Sequence, residues 1–104
     1  MIILNIVVSE KKAGEELVKF LLLNKYAISI QIDEEKQYVV GSSSVVEKNE
    51  SFKISFITKA LLYKEIEVKV YELLEKKLKM IYSIPVSQMN EEYAETLRDK
   101  IKKT

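Results

Sequence analysis

Glu50, Tyr38 and Lys59 are the groups in this chain that could exchange protons, and Asp33-Glu34-Glu35 are carboxylates that could hold a hard cation. No nucleophile–base–orienter set accompanies the first three, so they do not assemble into a recognisable catalytic constellation. The chain has no cysteine and no histidine. Thiolate chemistry, a disulfide and an imidazole base are therefore all excluded. Zinc sites built on nitrogen or sulfur are excluded as well, which leaves carboxylate and carbonyl oxygens as metal donors. Asp33-Glu34-Glu35-Lys36 reads as a polar turn, where neighbouring carboxylates are usually solvated. No catalytic residue, metal site or cofactor is expected, and the chain reads as a non-enzyme.

Three further strings invite a functional reading. Gly41-Ser42-Ser43-Ser44 resembles a phosphate loop only superficially. It lacks the glycine spacing and the following lysine, and it does not open a helix, so it reads as a flexible loop or bulge. Lys76-Lys77-Leu78-Lys79 could bind an anion, but cations at a helix C-terminus also complement its dipole. Phe52 and Phe56 on one strand suggest a base-stacking sheet. The glycines and basic-aromatic signature of that module are missing, and both rings are needed for the core.

These residues must be positioned by one domain spanning residues 1–104. A chain of this length buries roughly two thirds of its unfolded surface. Hydrophobic residues make up 47% and charged residues 32%, which is the composition of a globular chain. Seventeen basic and sixteen acidic residues are interspersed, giving a net charge of +1. That balance predicts neither a nucleic-acid nor a membrane partner. The apolar opening stops at Ser9-Glu10-Lys11-Lys12, too early for a membrane span and without the marks of a signal peptide. A cytoplasmic location is expected.

Residues 2–8 alternate as a strand whose two faces are both apolar: Ile2, Leu4, Ile6 and Val8 on one, Ile3, Asn5 and Val7 on the other. Ser9 is a candidate cap for a helix to about Asn24, with Ala13, Leu17, Phe20 and Leu21 on one stripe. Residues 27–32 read as a second strand, with Ile28, Ile30 and Ile32 inward. Residues 37–40 are extended, and Val45-Val46 can resume a strand before Glu47-Lys48-Asn49-Glu50 turns into the next one. Phe52, Ile54 and Phe56 then alternate. From Leu61 the period becomes helical through Leu62, Ile66, Val70 and Leu73. Residues 78–85 are extended again, with Pro85 suited to an edge strand. Asn90 can cap a last helix whose Tyr93, Leu97 and Ile101 share one side.

The order β-α-β-β-α-β plus a terminal helix is the split βαβ, or ferredoxin-like, α+β arrangement. Right-handed crossovers give an antiparallel sheet of order 4-1-3-2 with both long helices on one face. The other face is expected to carry Ile3, Val7, Ile57 and Ile81, with Met80 turned toward the helices. An apolar patch of this kind on a soluble chain predicts an oligomer.

At this level the chain resembles the CutA family of divalent-cation tolerance proteins, related in architecture to the PII signalling proteins. The resemblance is carried by Ile81-Tyr82-Ser83-Ile84-Pro85-Val86 followed by Asn90-Glu91-Glu92-Tyr93, where the family has an apolar strand ending in leucine-proline-valine and then a helix with an early tyrosine. Glu15-Glu16-Leu17 through Asn24-Lys25-Tyr26-Ala27 resembles the family's first helix and its run into the second strand. The resemblance implies a homotrimer with intersubunit clefts, in which Tyr38, Lys59 and Tyr82 would line the cleft. It implies a small-ligand or ion-binding role, or a degenerate scaffold acting through protein–protein contacts. The family's histidine-proline-tyrosine-glutamate string is replaced here by Glu75-Lys76-Lys77-Leu78-Lys79. Its cysteine gives way to Ile6 or Val7, and its tryptophan-containing turn to Val39-Val40-Gly41-Ser42.

Overall fold

A computed structural model describes all residues, Met1–Thr104. The order is β1 (Ile2–Val8), α1 (Lys11–Leu23), β2 (Gln31–Val40), β3 (Val46–Thr58), α2 (Tyr63–Leu74), β4 (Leu78–Pro85) and α3 (Glu91–Lys100). Single 3-10 turns, Ala60–Leu62 and Glu75–Lys77, flank α2. The sheet order is β2-β3-β1-β4, with every adjacent pair antiparallel, as the sequence predicts.

Leu4, Ile6 and Val8 of β1 meet Ile54 and Phe56 of β3 beneath the helices. Helix α1 contributes Ala13, Leu17 and Leu21, and α2 contributes Ile66, Val70 and Leu74. Fully burying a side chain of this size is worth about 1.5–3 kcal/mol, so this layer dominates stability. Gly14 lets α1 come close: a Cβ there would lie 3.3 Å from Val8 Cγ2 and 3.4 Å from Ile54 Cδ1. Leu97 and Ile101 of α3 join the same core.

Several local expectations change. Glu10, not Ser9, precedes α1; the Ser9 amide and hydroxyl instead donate to the Lys77 carbonyl. The second strand begins at Gln31, where residue 27 was expected to start it, and Asp33-Glu34-Glu35-Lys36 lies within it, not in a turn. Glu47 to Glu50 likewise belong to β3. Residues 41–45 form the turn between the strands, closed by Gly41 N–H donating to Val45 O. The resulting hairpin projects past β1, giving the molecule a long axis of 50 Å against 27 and 20 Å.

The open face also differs from expectation at two positions. Ile81 stands opposite fully buried Ile6 and so faces the helices, whereas Met80 stands opposite Val7 on the open side. A register shift at Val7/Val8 inserts Lys79 as an extra residue and causes the exchange. The open face therefore carries Ile3, Val7, Ile57, Met80, Tyr82 and Ile84.

Candidate functional site

Tyr82 stands opposite Asn5 near the middle of the open face. Asn5 is buried and accepts a 2.6 Å hydrogen bond from Ser55 Oγ, so a polar pair interrupts the apolar surface. Beside it a shallow groove of about 250 Å³ is lined by Val7, Ser51, Lys53, Met80 and Tyr82, with Glu35, Lys36 and Gln37 on its β2 side. Lys53 Nζ lies 3.6 Å from Glu35 Oε2 across it. This groove offers one cation, one carboxylate, an amide and a phenol around an apolar floor. That set can orient a small polar ligand by hydrogen bonds, but it contains no activated nucleophile.

Tyr38 and Lys59 lie elsewhere. Tyr38 is 67% exposed, pairs with Lys48 far out on the hairpin, and has the Lys48 ammonium 6.0 Å from its ring centroid. Lys59 follows the opposite end of β3, roughly 35 Å from Lys48 at about 3.3 Å per residue. Its ammonium donates to the carbonyls of Ile101 and Lys102, satisfying acceptors at the end of α3. The three residues therefore share no site within one subunit. Glu50 pairs with Lys36 on the hairpin and is also remote from Lys59.

A second groove, about 300 Å³, runs between α3 and the same sheet face, where Tyr93 and Leu97 oppose Ile3, Ile28, Ser55 and Ile57. Helix α3 thus shelters one end of the open face. The sequence does not point to either groove, because each depends on residues that only the register brings together.

The perturbed titrating groups form another cluster. Tyr26 donates its hydroxyl to Glu65 Oε2, and Lys102 donates to the same oxygen. The Lys102 ammonium also lies 5.2 Å from the Tyr26 ring centroid. Hydrogen bonds from Lys102 and then Tyr26 hold the Glu65 carboxyl below its ordinary pKa. Burial, followed by the Glu65 hydrogen bond, raises Tyr26. This cluster ties the chain's end to α2 and to the segment after α1. No group of three or more carboxylates converges to hold a metal. No helix is long and apolar enough to cross a membrane.

No protein-family model matches the sequence, and no curated protein does. Solved structures do. CutA1 from Pyrococcus horikoshii superposes with a TM-score of 0.87 at 23% identity, over 99% of this chain and 100% of that one. CutA1 from Oryza sativa gives 0.86 at 18% identity, over 99% and 94%. The periplasmic divalent cation tolerance protein CutA from Archaeoglobus fulgidus gives 0.85 at 18% identity, over 98% and 100%. The shared property at these identities is the fold, from the first strand to the last helix.

Proposed function

We propose that this chain is a CutA-like divalent-cation-tolerance-type protein that acts as a homotrimer. Its role is binding or regulation of a small ligand or ion in clefts between subunits, not catalysis. The observation that carries this reading is the full-length match in fold to CutA1 structures. The β2–β3 hairpin supports assembly: residues 34–50 leave Tyr38, Val40, Val45 and Val46 more than half exposed in the single chain. Exposed apolar residues on a projecting hairpin are what a neighbouring copy would cover.

The cleft is assigned to the groove around Tyr82 and Lys53, with Tyr38 or Lys59 reaching it only from another subunit. Histidine and cysteine donors are absent, so an ion held there would be a hard one bound by oxygen. A cytoplasmic location belongs to the same proposal, and cell fractionation tests it. The second reading, a scaffold acting through protein contacts, is favoured by one observation: Lys59 is already engaged at the end of α3.

Two measurements test the proposal. Light scattering at micromolar concentration should give a trimer; a monomer overturns the assembly. Thermal-shift screening against divalent cations, nucleotides and small anions should find a stabilising ligand. A ligand at a hundred times its dissociation constant adds about 2.7 kcal/mol. A flat panel favours the scaffold.

A further inference from the structure

The two outer edges of the sheet carry opposite charge at the same height. Register places Asp33 level with Lys53, Val7 and Met80, and Glu34 level with Phe52, Val8 and Leu78. Thus Asp33, Glu34 and Glu35 on the β2 edge stand level with Lys76, Lys77 and Lys79 at the start of β4. All six are exposed. Three strand spacings, roughly 14 Å, separate the two groups within a chain. Among all six, only Glu35 has an ion pair, with Lys53. The basic segment is held in place by the two hydrogen bonds from Ser9 to the Lys77 carbonyl.

We propose that these edges form an ion-pair seam, the acidic β2 edge of one copy docking against the basic β4 edge of the next. This rests on the trimer reading and adds the contact that would close it. Strands β2 and β4 run antiparallel to each other, and rotation about an axis along the strands preserves both direction and height. Such a rotation therefore continues the sheet from β2 of one copy to β4 of the next and brings the opposite charges face to face. Head-to-tail contacts of this kind close into rings. Charges on sheet edges more often serve to prevent association. Edges of one sign would do that, but edges of opposite sign at one level repel only the wrong orientation.

Sedimentation velocity on the full chain tests the seam. Raising ionic strength from about 0.1 M to about 1 M shortens the screening length from roughly 10 to 3 Å and should weaken wild-type association at least tenfold. Reversing one edge, Lys76→Glu with Lys77→Glu and Lys79→Glu, should weaken it at least as much. Reversing the other edge as well, with Asp33→Lys, Glu34→Lys and Glu35→Lys, should restore it, with circular dichroism confirming folded chains. A trimer indifferent to single-edge reversal overturns the seam and leaves the trimer reading intact. Failure of the double reversal to restore a folded variant's assembly also overturns it. A wild type that is monomeric at every salt concentration overturns both.

Discussion

Leu78 and Met80 are two residues apart in β4 and lie on opposite faces of the sheet, opposite Val8 and Val7 respectively. A regular strand would put both on one face. The extra residue, Lys79, rotates the remainder of β4, so that Ile81 packs toward the helices while Met80, Tyr82 and Ile84 face outward.

That rotation separates two mutations that otherwise look alike. Ile81→Lys should lower subunit stability by on the order of 1–3 kcal/mol, because it pushes an ammonium against the helix-side core. Ile84→Lys, at a position 46% exposed, should stay within about 0.5 kcal/mol of wild type as an isolated chain yet weaken association. Urea unfolding paired with light scattering on each variant checks both outcomes. Equal unfolding midpoints for the two variants would contradict the face assignment.

Glu65 should shape the pH dependence of stability. Its folded pKa is lowered by hydrogen bonds from Lys102 and Tyr26, so its contribution is present above the unfolded value of about 4.3 and is lost as pH falls through the lower folded one. Tyr26 is raised, by burial first and the Glu65 bond next. Its contribution is present below the unfolded value of about 10 and fades as pH rises through the higher folded one. Lys102, raised mainly by its bond to Glu65, acts in the same direction. Glu65→Gln should flatten the acid limb of a urea-midpoint profile and weaken the alkaline one; a curve parallel to wild type would remove the cluster from any role in stability.

Gly14 should tolerate little. In Gly14→Ala the gain in helix propensity, about 1 kcal/mol, opposes the close approach to Val8 and Ile54, leaving a small net change. Gly14→Leu overfills the space and should cost about 1–3 kcal/mol, read from thermal or urea unfolding. A neutral leucine would mean that α1 can retreat from the sheet.

Hydrogen exchange should divide the chain in two. Amides of β1 and the inner part of β3, packed beneath α1 and α2, should exchange only through global opening. Those of residues 34–50 should exchange rapidly in a dilute, dissociated sample and slow on assembly. Equal protection of the hairpin at all concentrations would argue that nothing docks on it.

The same division explains what the sequence reveals. Periodicity reports burial, so the elements packed in one subunit are legible: β1 through Leu4 and Ile6, α2 through Ile66 and Val70, α3 through Leu97 and Ile101. The outer hairpin buries little in its own chain, and its strands therefore show no alternation to read. The alternation of Ile28, Ile30 and Ile32 instead reports the crossing segment and the first turn of pairing, which shifts the expected strand toward the N-terminus. The faces of β4 fail for a different reason, since a bulge at Lys79 leaves no mark in a pattern where both faces carry apolar residues. Tyr82 and Lys53 meet across strands from distant parts of the chain, and only the register makes them neighbours.

Metal binding is the remaining test of kinship by function. Copper(II) and zinc prefer imidazole and thiolate, while oxygen donors alone suit magnesium, calcium or manganese. With no histidine or cysteine, the soft donors are the thioethers of Met1, Met80 and Met89. Met80 lies on the open face beside Val7, remote from the others. Met1 and Met89 do line one open groove, but Arg98 lines it too, and its cation opposes a bound metal ion. The terminal amine of Met1 can hold copper adventitiously and must be blocked in the assay. No specific copper or zinc binding tighter than about 10 μM is expected at neutral pH, in the range of weak sites. Isothermal titration of untagged protein measures this directly. A stoichiometric submicromolar site that survives blocking the amine would mean that subunits assemble a soft-metal centre from thioether and oxygen donors, and the oxygen-only reading of the cleft would fall with it.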